Sequence, residues 1–226
     1  MTRAVTQTLA ANRLVDGVVR LTASRGVPAG RGLLPEPQPL PSLVIHAQPF
    51  AGYPTELYAR GIRVITSRVT RNEHSPLARV KVISALDNVL ARREAAARGV
   101  DEALLRNTAG HLACASAANL FLVLDRRLVT PCIASGSLPG TTRQFVLAEL
   151  APQIGLAVEA RVVSPDELPR ASEAFLTSAL LGVMPLTSVD GRPIGKGVPG
   201  PLTAHLRAAL ADLWPSQIPV VADAER

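Results

Sequence analysis

Residues 102–131, EALLRNTAGHLACASAANLFLVLDRRLVTP, decide how this chain folds. Apolar stretches too short for helices are separated here by turn-forming residues. They give strands over Glu102 to Arg106, Leu112 to Cys114, Asn119 to Leu124 and Leu128 to Pro131, with turns at Asn107 to Gly110 and Asp125 to Arg127. Strands this closely spaced have no room for helical crossovers, so the pattern predicts an antiparallel meander.

Upstream, Leu86, Val89, Leu90 and Ala97 recur at helical spacing. Glu94 stands four residues before Arg98, and Gly99 supplies a stop, so a helix is predicted over 84–98. Before it come a Pro-containing loop at 72–77 and a strand at 61–67. Further back, alternating patterns predict strands at 42–48 and 18–23, joined by a Gly- and Pro-rich loop at 26–41, and residues 5–14 read as the end of a helix. Downstream, Pro139 and Gly140 introduce a helix over 141–150, and 158–163 alternates as a strand. Ser164 and Glu167 form a capping box around Pro165, strands follow at 174–178 and 185–189, and an amphipathic helix closes the series at 203–214. The class is α+β with an antiparallel or barrel-like sheet, not a doubly wound parallel one.

Of the 226 residues 47% are apolar and 19% charged, which excludes a disordered tail or a collagen-like chain. No apolar run approaches the roughly 20 residues needed to cross a bilayer, and the start has no secretory segment, so no membrane association and a cytoplasmic location are expected. Two cysteines, Cys114 and Cys132, without a CxxC or Cys/His cluster predict reduced thiols and no metal. The net charge of +6 comes from scattered arginines with no run of five basic residues, and seven aromatics offer few stacking platforms, so no nucleic-acid partner is expected. His46, His74, His111 and His205 are isolated in sequence.

Only two of the 24 basic residues are lysines, Lys81 and Lys196. Arginine serves wherever charge suffices, which marks a retained lysine for chemistry that requires losing a proton. Lys81 stands in the apolar run Val80 to Ile83, where burial would favour the neutral, nucleophilic amine; the alternative is a strand lysine snorkelling to the surface. Gly140, Thr141, Thr142 and Arg143 open a helix, where free amides and the dipole favour an anion, or simply cap it. The small residues of 113–121, ACASAANLF, would let a flat group lie against a sheet or pack tightly among themselves. Thr177, Ser178 and Ala179 at a strand end would complete a phosphate cradle or cap a turn.

In order and spacing these pieces resemble the class IV (fold-type IV) pyridoxal-phosphate family, which includes branched-chain and D-amino-acid aminotransferases and 4-amino-4-deoxychorismate lyase. The resemblance spans roughly residues 10 to 210. It is carried by RVK and DNVLARREAAARGVDEALL within 79–105, ASAANLF at 115–121, LVTP at 128–131, LPGTTR at 138–143 and FLTSALLGVMPLTSVDG at 175–191.

The resemblance implies a small N-terminal α+β lobe, a C-terminal pseudo-barrel, pyridoxal 5′-phosphate between them and a homodimer. The remnant of the first lobe would be 1–50, the linker 51–60, the cofactor-binding lobe 61–215 and a tail 216–226. Lys81 would carry the Schiff base and move the substrate proton. Thr141 and Thr142 would bind the phosphate, Ser178 and Ala179 would face them, and Asn119 would shape the cofactor wall. The activity implied is transfer of an amino group between an amino acid and a 2-oxo acid. The alternatives are the lyase reaction, releasing pyruvate and 4-aminobenzoate, and a catalytically silent binding protein.

Two departures from the family stand out. The family has strands, a helix and a phosphate-gripping arginine before the segment resembling Thr6 to Gly26. In addition, Cys114 occupies the place of a glutamate paired with the pyridine nitrogen, a role the thiol cannot fill and for which Glu102 is the carboxylate at hand.

Overall fold

The computed structural model describes residues 1–15, 17–28, 30, 33–34 and 40–217, excepting the side chains of 214–217. Contacts divide the chain into two units, Met1–Gly52 and Tyr53–Arg226. The first holds helix α1 (Thr2–Ala11) and an antiparallel pair, β1 (Val18–Ser24) and β2 (Ser42–Gln48), in register from Val18 opposite Gln48 to Ser24 opposite Ser42. The helix stops about three residues earlier than the sequence pattern suggests, at Asn12, whose side-chain amide donates back to the Thr8 carbonyl. No residue of α1, β1 or β2 is fully buried.

The first helix of the second unit, α2 (Thr55–Arg60), lies within the segment 51–60 expected to be the linker. Its sheet is built from β3 (Ile62–Arg71), β4 (Glu102–Asn107), β5 (Leu112–Ala115), β6 (Asn119–Leu124), β7 (Arg127–Pro131), β8 (Val158–Arg161), β9 (Glu173–Ser178), β10 (Gly182–Val189) and β11 (Arg192–Pro193). The order is β5-β4-β3-β10-β9-β6-β7-β8, with β11 on β10.

The meander forms in part: β4 pairs with β5 and β6 with β7, both antiparallel as expected, but the link between β5 and β6 is absent among the described residues. The sheet is mixed: β3 runs parallel to both β4 and β10, and β7 runs parallel to β8. Strand β6 pairs with β9 rather than with β5. The cause is α3 (Leu86–Ala97), which packs on β3 and β4 and makes them a strand-helix-strand unit with parallel strands. The sheet curls on itself, and the Leu112 amide of edge strand β5 donates to the Val163 carbonyl just beyond β8 (2.9 Å).

Side chains alternate across this curled sheet. Val64, Leu104, Leu120, Leu122, Leu176, Met184 and Leu186 fill one core. Phe121, Val123, Phe175 and Val183 face the other way, onto the helices that follow β7 and β11. The expected helix at 141–150 is broken into α4 (Thr141–Phe145), a π-turn (Val146–Leu150) and α5 (Ala151–Gln153). Pro152 has no amide to give the carbonyl four residues back, so the regular ladder cannot run through it. Helix α6 (Pro201–Gln217) starts with proline, and the Glu173 carboxylate accepts its Leu202 and Thr203 amides at 3.0 and 2.7 Å. The capping box at Ser164 and Glu167 is formed as read.

Candidate active site

Lys81 lies in the loop between a 3₁₀ turn (Pro76–Arg79) and α3. It is exposed and makes no hydrogen bond or ion pair among the described residues. Val80 and Ile83 beside it are 55% and 64% exposed. The apolar burial read from the run 80–83 is therefore corrected. The run lies in a loop that belongs to no strand, and the helix that follows it buries only its small residues Ala91 and Ala95, so neither covers Val80 or Ile83.

The Lys81 loop is pinned from both sides. Arg71, at the end of β3, sends one guanidinium to three segments: Nε to the Gly136 carbonyl (3.3 Å), Nη1 to Asn88 Oδ1 (3.4 Å) and Nη2 to the Ala78 carbonyl (3.1 Å). Asn88, in the first turn of α3, donates to the Ser116 carbonyl (2.6 Å). Two residues after Arg71, the buried Glu73 carboxylate accepts the Thr108 amide (2.9 Å) and hydroxyl (2.8 Å). The backbone bond from Thr108 is the largest influence holding the Glu73 carboxyl down at about 2, far below its ordinary value. A carboxylate lowered in the fold stabilises it fully above the unfolded value and loses that contribution as pH falls between the two. The melting-temperature gap between wild type and Glu73→Gln is thus expected to be largest above about pH 5 and to shrink as the pH is lowered toward about 2, as read from thermal unfolding across that range.

The second part of the site is the turn before α4. Asn119, buried at the start of β6, donates its amide to Ser137 Oγ (3.0 Å) and to the Leu138 carbonyl (2.8 Å). A Cβ on Gly140 would lie 2.2 Å from Asn119 Oδ1, so only glycine lets the turn come this close. Thr141 is exposed at the first position of α4, while Thr142 is buried with an Oγ1 that has no partner among the described residues. Directly opposite Asn119 in the sheet is Thr177, also buried and likewise with no partner for its Oγ1 among the described residues. Ser178 follows, half-buried, its hydroxyl accepting the Leu181 amide (3.1 Å); Ala179 is exposed in the turn beyond. Strand register and the packing of α4 on β9 thus bring Asn119, Thr142 and the end of β9 together.

Cys114 sits in β5 among Ala91, Ala95, Ala103, Leu105 and Ala113. Burial pushes its thiol up to about 11, so it stays neutral at physiological pH. Glu102 does not stand free to replace a missing carboxylate. Its oxygens accept the Ala103 amide and the Ser116 hydroxyl, and Arg92 lies at 3.5 Å. Both cysteines are free thiols. Among the described residues no helix is long and apolar enough to cross a membrane.

Sequence reading missed Arg71 and Asn88. Thr177, read with Ser178 and Ala179 as a strand-end cradle or cap, stands out as a polar residue after the apolar Ala174 to Leu176. Arg71 carried no signal in a chain so rich in arginine.

A family model described as amino-transferase class IV matches residues 1–189. The chain is 36% identical over 160 residues to the branched-chain-amino-acid aminotransferase of Pseudomonas aeruginosa, covering 70% of this chain and 52% of the relative. To the Salmonella typhimurium enzyme of the same name it is 30% identical over 206 residues, covering 90% and 66%. It therefore spans about half to two thirds of the length of these relatives. The solved T.th. branched-chain amino acid aminotransferase with pyridoxamine 5′-phosphate superposes with a TM-score of 0.86 at 30% identity, over 96% of this chain and 70% of that one. A Legionella pneumophila structure provisionally named 4-amino-4-deoxychorismate lyase gives 0.84 at 28% identity, over 93% and 75%.

Proposed function

The chain belongs to the class IV aminotransferases, and on that premise we propose that it binds pyridoxal 5′-phosphate and moves an amino group between an amino acid and a 2-oxo acid. The observation that carries the reading is the turn at 137–142. Asn119 and Gly140 fix its backbone at a helix start, and the hydroxyls of Thr142 in the turn and of Thr177 opposite Asn119 in the sheet are buried without partners among the described residues. Buried hydroxyls without partners are uncommon, and a phosphoester oxygen is an acceptor that fits them.

In this reading Thr141 and Thr142 hold the phosphate with amides and hydroxyl, and Ser178 and Ala179 close the opposite side. Lys81 holds the cofactor covalently and moves a proton at Nζ, for which an amine free of other bonds is suited. When bound, the cofactor supplies an electrophilic aldehyde and a conjugated ring that delocalises the electron pair left on a substrate carbon. Asn119 shapes the wall of the site. Cys114, neutral and embedded in apolar neighbours, supplies no charge to the ring.

The names of the relatives make branched-chain amino acids the first donors to test. Hydride trapping followed by peptide mass spectrometry is expected to place the cofactor adduct on Lys81. A 2-oxo-acid-dependent amino transfer then supports the proposed reaction, whereas pyruvate release from aminodeoxychorismate without an acceptor would replace it with the lyase reaction.

We further propose that the protein is a homodimer, and unpaired thiols support the reducing cytoplasm as its location. Leu86, Val89 and Leu90 form an exposed apolar row on α3 at spacings of three and four residues, continued by Val80 and Ile83. A second copy is the partner that would cover this row. Replacing Val89 and Leu90 by arginine together is expected to shift sedimentation from dimer to monomer; an unchanged species would remove this face from the interface.

A further inference from the structure

The Arg71 guanidinium touches the chain three residues before Lys81, at Ala78, and seven residues after it, at Asn88. It also touches Gly136, immediately before the turn that Asn119 holds. We propose that Arg71 is a positioning residue that couples the amine-bearing loop to the phosphate-holding turn, so that an aldehyde anchored by its phosphate is presented to Lys81. This rests on the cofactor reading above and adds to it a residue that holds the two ends in register.

Each feature of Arg71 suits that role. None of its three acceptors is a carboxylate, and it takes part in none of the ion pairs among the described residues. Its bonds therefore fix geometry rather than neutralise a partner. A planar fork can serve three acceptors in different directions at once, which the single ammonium of lysine cannot do in the same geometry. Gly136 makes the approach feasible: at φ +91° it adopts the left-handed region, and a Cβ there would lie 3.0 Å from Arg71 Cγ. Asn88 passes the constraint on to the sheet through the Ser116 carbonyl, between β5 and β6. Reaction between two held groups gains from orientation, and small misplacements remove that gain.

The test compares pyridoxal phosphate with pyridoxal, which lacks the phosphate, as reductively trapped labels. Lys196, exposed in the segment between β11 and α6, serves as an internal reference amine. In the wild type, Lys81 is expected to label much faster with the phosphate ester, while Lys196 labels equally with both. In Arg71→Gln and Arg71→Lys the ratio at Lys81 falls about tenfold or more toward that of Lys196, with labelling by pyridoxal retained. A residue that only supported the fold would lower both labels together. Asn88→Ala removes one anchor while leaving Arg71 in place and is expected to give an intermediate ratio. A wild-type ratio in Arg71→Lys, or an unchanged ratio in Asn88→Ala, overturns the coupling while the cofactor reading stands. No phosphate advantage at Lys81 in the wild type overturns both.

Discussion

Lys81→Ala is expected to abolish the hydride-trapped cofactor adduct and to lower amino transfer by about 10³-fold or more, since it removes both the covalent anchor and the proton carrier. Stability should hardly change, because the side chain is exposed and bonded to none of the described residues, and such surface substitutions usually stay within about 0.5 kcal/mol. Lys81→Arg should rescue nothing, since the guanidinium keeps its proton at any working pH. The measurement is turnover with a branched-chain donor, taken beside a thermal melt. Near-normal turnover in a folded Lys81→Ala protein would remove the proposed mechanism, whereas loss of both turnover and folding would assign the lysine a structural part that its exposure contradicts.

Phe175→Ala should have the largest effect on stability. Phe175 and Phe121 face each other across β9 and β6, both fully buried, with rings stacked 4.9 Å apart at 9°. They join the sheet to Val146, Leu150, Leu206 and Leu210 from the turns and helices that cover it. Truncating such a ring leaves a cavity and ends the stack, at about 3–5 kcal/mol. For a chain of this size that corresponds to a fall in Tm of roughly 6–20 °C. A fall of less than about 2 °C in a calorimetric melt would show that the helices repack over the gap. Phe175 is also two residues from Thr177, so looser phosphate binding should accompany the lower Tm.

Most element positions could be read from residues alone, because alternation and turn chemistry act locally. The strands at 42–48 and 119–124 and the capping box at Ser164 occur as read. Pairing was legible only within the tight turns, β4 with β5 and β6 with β7. The segment 102–131 looks like a meander since each strand matches its sequence neighbour in length and polarity, yet β6 chooses β9, more than fifty residues on, where Phe121 meets Phe175. The site shows the same division. Asn119, Thr142 and the end of β9 were visible as polar breaks in apolar strands or at a helix start, and they converge. The surroundings of Lys81 were misjudged because an apolar run states what a segment prefers, not which face a helix will cover. Arg71 was invisible because its partners are mostly backbone carbonyls, which leave no trace in sequence.

The placement of β3 between two parallel neighbours has a consequence for synthesis on the ribosome. Its flank toward β10 is secured in part by the Asp190 carboxylate, which takes the Thr66 amide and hydroxyl across 124 residues of chain. At ordinary translation speeds roughly 6–25 s separate the emergence of these two residues. During that interval β3 carries a bare strand edge with nothing of its own to pair with, the state in which nascent chains stick to one another. Heavily expressed protein should therefore be lost to inclusion bodies through this strand before the finished fold is ever tested, and slowing initiation or supplying a holdase should recover more soluble material than any substitution in the completed core.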